Sequence, residues 1–338
     1  MMAETIRLGL LRLCDAAPVI LADHEEMFAI NSVRVSLSVE PSWANIADKL
    51  SYGLLDGAVM LPPLAMACAA GLRGRKTGLV VPMNLSTNGN AVTLASPLRD
   101  DFLSNGIAGV ISGRRVRLAV VHGFSTHDLL LRYWLAAAGV NPEQDVEITV
   151  LPPAEMVSSL AAGAIDGFCA GAPWGQVAAH AGLGFMAVQS RDIWRDHPEK
   201  CLALRADLVA RDPAGVNAML KTLRKAGALC AAADKRGALA ALLAQPEYLN
   251  LPAALIATAL NPETGGPLFT QQYPDAAPAS WFAQQMLRWQ KAPPGSLDGA
   301  LNLYRPDLFL AAGGTAPAAA RENVTTTPDT ATKQANNA

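Results

Sequence analysis

The sequence predicts an α/β protein with two lobes and a ligand cleft between them. Short apolar runs alternate with helical stretches through the first half of the chain, a pattern typical of sheets with mainly parallel pairing. A stretch of this half, KLSYGLLDGAVMLPP, is echoed without a gap by SLAAGAIDGFCAGAP, at an offset of 163 − 53 = 110 residues. From Asp212 onward the chain is rich in Ala and Leu and becomes mostly helical.

Seven apolar runs predict strands, namely Ile6–Leu13, Val33–Val39, Gly57–Leu61, Gly78–Pro82, Arg115–Val121, Val146–Val150 and Gly167–Ala170. Helical patterns lie between and after them, at Pro18–Phe28, Trp43–Tyr52, Thr126–Ala138, Ala154–Ala162, Val216–Ala232, Gly237–Leu243, Ala253–Ala259 and Ser280–Gln290. We expect the later helices to wrap a lobe that the earlier elements have already built.

The internal echo aligns Gly53 with Gly163 and Asp56 with Asp166. Each copy reads as a helix end, a glycine cap, a short turn and a buried strand. Turns of this kind arise often by convergence, so a common turn and a pair of similar lobes are both open interpretations. Ligands of such sheets bind beyond the carboxyl ends of the strands, so two facing lobes would place the site in the cleft.

Composition limits the class of function. A chain of 338 residues with 51% hydrophobic and 17% charged residues is expected to form about two globular domains. The net charge of −2 does not favour nucleic-acid binding as the main activity. The five cysteines are scattered without a CxxC pair, which fits a reducing compartment. We find no run of about 20 apolar residues, so no membrane span is predicted.

Both ends of the chain lead to expectations of their own. Glu4 precedes the first arginine, and Arg7 and Arg12 interrupt the apolar run, so an export signal is not expected. The sequence therefore predicts a mature cytoplasmic start. From residue 312 to 338 the chain is rich in Ala, Thr and Asn and lacks aromatic residues, which predicts a disordered tail.

One candidate binding feature is the helix start within GFSTHDLLLRYW. Ser125 or Thr126 can cap this helix, whose first turn has free backbone N–H groups and a partial positive charge. His127 falls in that turn and would add an imidazole N–H, a combination that suits an anion. A capped helix with a histidine that only packs is the alternative.

Three further residues could reach a ligand. Lys200 enters an apolar, strand-like run, where its charge must either reach solvent or meet an anion. Asn90 follows the Asn88-Gly89 turn signal and could orient an oxyanion, although an ordinary turn explains it equally. Trp43, at a helix start, offers an indole donor but could simply pack.

We find no sequence pattern for catalysis or for a cofactor. HExxH, GxSxG, the P-loop and GxGxxG are all absent from the sequence. His24, His122 and His180 have no carboxylate or cysteine partner at metal-ligand spacing. Local spacing therefore gives no candidate for a reactive cluster or a metal site.

Several blocks together resemble the nitrate/bicarbonate-binding protein family of NrtA and CmpA. They are SYGLLDGAVMLPPLAMA, NLSTNGNAVTLAS, GFSTHDLLLRYWLAAAGVNPEQDV, LPPAEMVSSLAAGAIDGFCAGAPW and HPEKCLALRADLVARDP. The resemblance covers roughly residues 5 to 275 and implies a periplasmic-binding-protein type II fold. It implies that residues 1–95 begin lobe 1, residues 96–194 form lobe 2, and residues 195–311 complete lobe 1 and add helices.

The resemblance also implies the ligand and its contacts. Trp43, Asn90, His127 and Lys200 match the family's anion-binding positions, with Thr126 and Gly89 in support. A glutamine often stands in the family where this chain has Asn90. In the bicarbonate-binding relatives an acidic residue replaces the lysine and recruits calcium. Lys200 would repel such a cation, so the resemblance implies nitrate or nitrite and no metal.

The expected absence of an export signal points within this family to the cytoplasmic NasS-type nitrate/nitrite sensor. Such sensors hold an ANTAR-domain RNA-binding antiterminator of the NasT type and release it when the anion binds. The alternative is the nitrate-binding component of an ABC transporter whose signal peptide is lost or misannotated. An enzyme on the same fold is a further class, but the sequence offers no clustered reactive set.

Overall fold

The chain forms two five-stranded sheets, each flanked by helices, in a computed structural model that describes residues 5–317. The strands are β1 (Ile6–Leu10), β2 (Val35–Val39), β3 (Gly57–Met60), β4 (Leu79–Thr87), β5 (Asn90–Ala95), β6 (Val116–Val120), β7 (Val146–Val150), β8 (Gly167–Gly171), β9 (Gly184–Gln189) and β10 (Pro198–Arg205).

The helices of the described residues alternate with the strands and then follow them. They are α1 (Ala17–His24), α2 (Met27–Ile30), α3 (Trp43–Ser51), α4 (Pro62–Ala70), α5 (Arg99–Ile111), α6 (Thr126–Ala137), α7 (Met156–Ala161), α8 (Trp174–His180), α9 (Ser190–Ile193), α10 (Ala206–Arg211), α11 (Pro213–Ala231), α12 (Arg236–Leu243), α13 (Ala253–Ala259), α14 (Ala277–Arg288) and α15 (Pro306–Ala311).

The two sheets define two lobes. The sheet of lobe 1 has the order β2-β1-β3-β10-β4, and that of lobe 2 has the order β7-β6-β8-β5-β9. In lobe 1, β1 pairs in parallel with β2 and β3, and in lobe 2, β6 pairs in parallel with β7 and β8. Parallel pairing is expected for strands joined through crossover helices. The fold class predicted from the sequence, α/β with two lobes, is therefore confirmed.

The expectation of mainly parallel pairing is wrong for half of each sheet. β10 runs antiparallel to both β3 and β4, and β5 runs antiparallel to both β8 and β9. The physical reason is that β5 and β10 arrive from the other lobe, so no crossover helix sets their direction. The strand pattern of a single lobe cannot reveal this, because the pairing depends on which sheet a strand joins.

Two adjacent chain crossings join the lobes. The first is the turn between β4 and β5, earlier in the chain than the boundary predicted at residue 95. The second lies between β9 and β10 and contains the boundary predicted after residue 194. The crossings are hydrogen-bonded, because the Asn88 N–H donates to the His197 carbonyl at 3.1 Å and the Asp196 N–H donates to Asn88 Oδ1 at 2.9 Å.

An apolar core runs from one lobe into the other. Trp43 of lobe 1 and Phe168 of lobe 2 are both fully buried in the same cluster, which also contains Trp281 of α14. The late helix α14 packs on α4 of lobe 1 and α6 of lobe 2. The lobes are thus described in a closed arrangement, with the late helices wrapped around the earlier sheets as predicted.

Other expectations have mixed outcomes. β10 was expected only as a strand-like run at Lys200, and β5 and β9 are not among the seven predicted strands. All five cysteines are buried and free. Within residues 5–317 no helix combines the length and apolar character that a membrane crossing requires. Most of the tail predicted at 312–338, from residue 318 onward, lies outside the described residues.

Candidate functional site

The four predicted ligand residues come from both lobes and meet between them. Trp43 opens α3 and Lys200 lies in β10, both in lobe 1, whereas Asn90 opens β5 and His127 lies in the first turn of α6, both in lobe 2. All four side chains are essentially inaccessible to solvent. Burial of so many polar groups requires partners or a ligand, because an unsatisfied buried polar atom is costly.

The start of α6 has the predicted capped geometry. Ser125, in an extended conformation, is the N-cap, since its Oγ accepts from the Asp128 N–H at 3.0 Å and donates to the His122 carbonyl at 2.6 Å. His127 is therefore the second residue of the helix. Thr126 Oγ and both ring nitrogens of His127 are buried without a hydrogen-bond partner.

Gly89 occupies a position that favours glycine. Its φ is +91°, and a Cβ there would come within 3.2 Å of the Pro267 backbone. Its carbonyl accepts from the Ala172 N–H at 2.8 Å. Gly89 thus supports the turn that delivers Asn90 to the cleft.

Lys200 is not a lone ammonium group. Its Nζ lies 2.5 Å from Glu199 Oε1 and 2.8 Å from Asp15 Oδ2, and it sits 5.4 Å from the centre of the Trp43 ring. Burial lowers the pKa of Lys200, but Asp15 and Glu199 outweigh this effect and raise it. The ammonium group therefore stays charged in the closed cleft.

Glu199 is the hub of the cluster, and sequence reasoning did not find it. Its Oε2 accepts from Asn90 Nδ2 at 2.7 Å, and its Oε1 lies 3.3 Å from His127 Nε2 without a well-formed hydrogen bond. In a regular strand, adjacent side chains such as Glu199 and Lys200 point to opposite faces. Here the pairing register of β10 with β4 shifts on both sides of Lys200, so the local alternation is broken.

Asp15 was also missed, although a signal for it existed. It lies in the turn Cys14–Ala16, shortly beyond the carboxyl end of β1, where ligands of α/β sheets bind. Its side chain is buried, and its Oδ1 has no hydrogen-bond partner. Attention to the residues after the first strand, rather than to histidine and lysine alone, would have found it.

Burial keeps the two histidines neutral and raises the pKa of both acids, Asp15 and Glu199. Burial first, and then the charge of Lys200, lowers the pKa of His127 well below its usual value. Burial lowers the pKa of His197 to about 4 and raises that of Glu199 to about 7. A neutral imidazole can still donate one hydrogen bond to an acceptor.

Several donors of the cluster are unsatisfied. The indole Nε1 of Trp43 and the ring nitrogens of His127 are buried without partners, as is His197 Nε2. Indole offers only a donor and neutral imidazole offers one, so these groups suit a small group that accepts hydrogen bonds. Within residues 5–317 no group of His, Cys, Asp and Glu side chains is arranged to hold a metal ion.

A cavity of about 320 Å³ opens at the edge of the cleft. Lobe 1 lines it with Arg12, Glu40 and Pro41, among others, and lobe 2 lines it with residues 152–155. These residues follow β1, β2 and β7, so the cavity lies at the carboxyl ends of the parallel strands, and Pro41 is two residues before Trp43. This is the expected position for a ligand cleft in α/β sheets.

The family of the chain follows from comparison with known proteins. The model of the NMT1-like family matches residues 2–244. The chain belongs to the NMT1-like family. Its resemblance to the nitrate/bicarbonate-binding proteins, carried in the sequence by the HPEK and STHD blocks, is confirmed by its relatives.

Two similar proteins illustrate the relatives of this chain. The chain is 36% identical to the bicarbonate transport ATP-binding protein CmpC of Synechocystis, over 85% of this chain and 46% of that protein. It is 28% identical to the nitrate/nitrite binding protein NrtA of Synechocystis, over 90% of this chain and 75% of that protein. The chain spans about half the length of the first curated relatives it matches.

The structure is similar to the crystal structure of the periplasmic nitrate-binding protein NrtA from Synechocystis. The TM-score is 0.86 with 27% sequence identity, covering 92% of this chain and 88% of NrtA. The predicted periplasmic-binding-protein fold is thereby confirmed. The roles of Trp43, Asn90, His127, Lys200, Thr126 and Gly89 in ligand binding stay predictions.

Proposed function

We propose that the protein binds nitrate or nitrite between its two lobes and performs no catalysis. The observation that supports this most strongly is the buried cluster in which Trp43 and His127 present unpartnered nitrogens beside the Lys200 ammonium group. A flat oxyanion that only accepts hydrogen bonds matches these donors. Relatives named for nitrate binding and for solute transport agree with a binding protein rather than an enzyme.

The cluster also gives a reason for closure on binding. Trp43 and Lys200 belong to lobe 1 and Asn90 and His127 to lobe 2, so all four can contact one small anion only when the lobes are closed. An anion that binds the closed form better shifts the population towards it. Moving a 1:99 population to 99:1 requires about 5.5 kcal/mol of differential affinity, more than one charge-assisted hydrogen bond supplies.

Calorimetric titration of the purified chain with nitrate, nitrite and bicarbonate tests the ligand. We expect Trp43→Phe, which keeps the ring but removes the indole N–H, to weaken nitrate binding about tenfold to a hundredfold, the loss of one hydrogen bond to a charged group. Trp289→Phe is the matched control, because Trp289 also has a buried, unpartnered Nε1 but lies at the end of α14. Equal affinity in Trp43→Phe and the wild type would refute the site.

As the biological role we propose a cytoplasmic nitrate/nitrite sensor. In the ligand-free, open form it would hold an ANTAR-domain antiterminator, and closure on the anion would release that partner. The two ligands would then be linked with opposite sign. The near-neutral charge of the chain agrees with a complex in which the partner, rather than this chain, contacts RNA. Lys200→Glu is expected to keep the partner and lose its nitrate-triggered release.

A transport role is the second candidate, and the similarity to a structure described as the periplasmic nitrate-binding protein NrtA favours it. Two measurements separate the candidates. Fractionation of native cells shows whether the chain resides in cytosol or periplasm. A pull-down from cytosol with and without nitrate shows whether an ANTAR-domain protein is retained only without the anion. A chain found in the periplasm, with no such partner, would support the transport role and exclude the sensor role.

A further inference from the structure

The charges of the cleft do not balance once an anion enters. Lys200 contributes one positive charge, whereas Asp15 and Glu199 contribute two negative charges when both are ionised. His127 and His197 are neutral because burial lowers the pKa of each. A nitrate ion would raise the negative excess of this closed site from one charge to two, and an uncompensated buried charge is very unfavourable.

We propose that Glu199 takes up one proton when the anion binds, a role that rests on the proposed function of nitrate binding. Protonation restores the charge that the site has without ligand. It also changes Glu199 from a group that only accepts hydrogen bonds into one that can donate its O–H to the anion. No covalent step is involved: protein, anion and proton combine into one complex.

Geometry selects Glu199 rather than Asp15 for this role. Glu199 touches both lobes, through Lys200 at 2.5 Å in lobe 1 and Asn90 at 2.7 Å in lobe 2, and His127 lies 3.3 Å away. It is therefore placed where an anion contacted by both lobes must lie. Asp15 has one ion pair with Lys200 at 2.8 Å and reaches no lobe 2 donor among the described contacts.

The groups around Glu199 act on its proton in known directions. Burial is the largest influence and raises the pKa of Glu199 to about 7; Lys200 and the Asn90 amide lower it, and Asp15 raises it. The titratable or charged groups that act on or face Glu199 are Asp15, His127, Cys169, His197, Lys200 and Cys201. Burial raises the pKa of the Cys169 thiol, which therefore stays protonated.

The sign of the pH effect follows from proton linkage. In the closed cleft Glu199 is already protonated below about pH 7, so anion binding to that form requires no proton there. Above that pH the proton must come from solvent, and the dissociation constant for nitrate rises by up to about tenfold for each unit of pH. Nitrate itself does not titrate in this range, so any proton taken up belongs to the protein.

The experiment is isothermal titration of the whole chain with sodium nitrate between about pH 7 and about pH 8.5, each point in two buffers of different ionisation enthalpy. The difference in heat between the buffers counts the protons taken up. We expect nearly one proton per nitrate at the highest pH and a fraction of a proton at the lowest. The range avoids the lower pH at which histidines of an opened cleft would titrate.

Two variants assign the proton. Glu199→Gln has the shape of the protonated acid, so we expect it to bind nitrate with a dissociation constant that no longer depends on pH, and without proton uptake. Asp166→Asn is the control, because Asp166 is an ion-paired carboxylate of lobe 2, 3.1 Å from Arg117, and precedes β8 at the end of the strand away from the cleft. We expect it to keep the wild-type slope.

The possible outcomes are distinct. Wild-type protein that binds nitrate with the same dissociation constant at both ends of the range, and with no proton uptake, overturns the role of Glu199. A wild-type slope that persists in Glu199→Gln overturns it as well, because another group then takes the proton. No nitrate binding at any pH refutes the proposed function itself. The wild-type proton count is decisive even where Glu199→Gln fails to fold.

Discussion

The two lobes are built on one scaffold but present different side chains to the cleft. In lobe 1 the Nε of Arg7 donates to Asp56 Oδ2 at 2.8 Å, and in lobe 2 the Nε of Arg117 donates to Asp166 Oδ2 at 3.1 Å. In both, the backbone N–H of the arginine donates to the same carboxylate oxygen. The internal echo is therefore a repeated structural unit, in which β1 is held to the turn before β3 and β6 is held to the turn before β8.

The residues proposed to contact the anion do not repeat. At the offset of 110 residues, Trp43 corresponds to Pro153 and His127 corresponds to Ala17. The other two contacts come from β5 and β10, the strands that cross between lobes. The repeated segments thus set the turns and the strand pairing of both lobes, while the proposed site is assembled from positions where the two copies differ.

The largest difference in stability is expected between the two aspartates of the echo. Asp56 is almost fully buried and accepts from Arg7 and Arg211, whereas Asp166 is 21% exposed and pairs with Arg117. Asp56→Asn should cost about 2.5 kcal/mol, near the upper end for hydrogen bonds to charged groups, because both arginines are themselves partly exposed. Asp166→Asn should cost about 1 kcal/mol, because solvent screens that pair. Urea unfolding measures both.

The acid response offers a second measure of the same pair. Burial raises the pKa of Asp56, but hydrogen bonds from Arg7 and Arg211 outweigh it, and the net pKa is lowered; Arg117 has the same effect on Asp166. A lowered pKa stabilises the fold above the usual aspartate pKa and loses that stabilisation as the pH falls below it. Equal losses of unfolding free energy in Asp56→Asn and Asp166→Asn would contradict the expected difference between the two ion pairs.

A smaller difference is expected between the helix caps of the two lobes. Ser125 caps α6 from a fully buried position at 3.0 Å, whereas Ser42 caps α3 by accepting from the Asn45 N–H at 3.2 Å. Ser125→Ala should cost about 2 kcal/mol and Ser42→Ala about 1 kcal/mol, at the upper end and in the middle of measured caps. Thermal unfolding compares them. A greater loss for Ser42→Ala would reverse the ranking.

The smallest difference is expected between the two glycines of the echo. Gly53 has a φ of +70° and Gly163 has a φ of +65°, and a Cβ added at either would meet no atom closer than 3.7 Å. Alanine is disfavoured at both by the left-handed backbone alone, by about 1 kcal/mol. Gly53→Ala and Gly163→Ala should therefore shift the urea midpoint equally. Unequal shifts would show that the repeated turns are not equivalent.

The sequence predicted much of the fold because its evidence is local. Apolar runs such as Val146–Val150 and capped helix starts such as Ser125–Thr126 have patterns that short-range physics dictates. The strand β9 was missed, since its run GFMAVQ shows no strong alternation and lies at the edge of its sheet. The direction of β5 and β10 was missed because it depends on the sheet that each strand enters.

What the sequence by itself determined is the alternation of strands and helices and the capped helix starts, because periodicity and capping are properties of neighbouring residues. The four candidate anion contacts followed from the family resemblance. Only the tertiary structure decided that Lys200 meets Glu199 and Asp15. Asp15 and Lys200 are distant in the chain, and the Glu199–Lys200 contact depends on an irregular register with β4. The charge of the cleft is the sum of Asp15, Glu199 and Lys200, which meet only once the chain has folded.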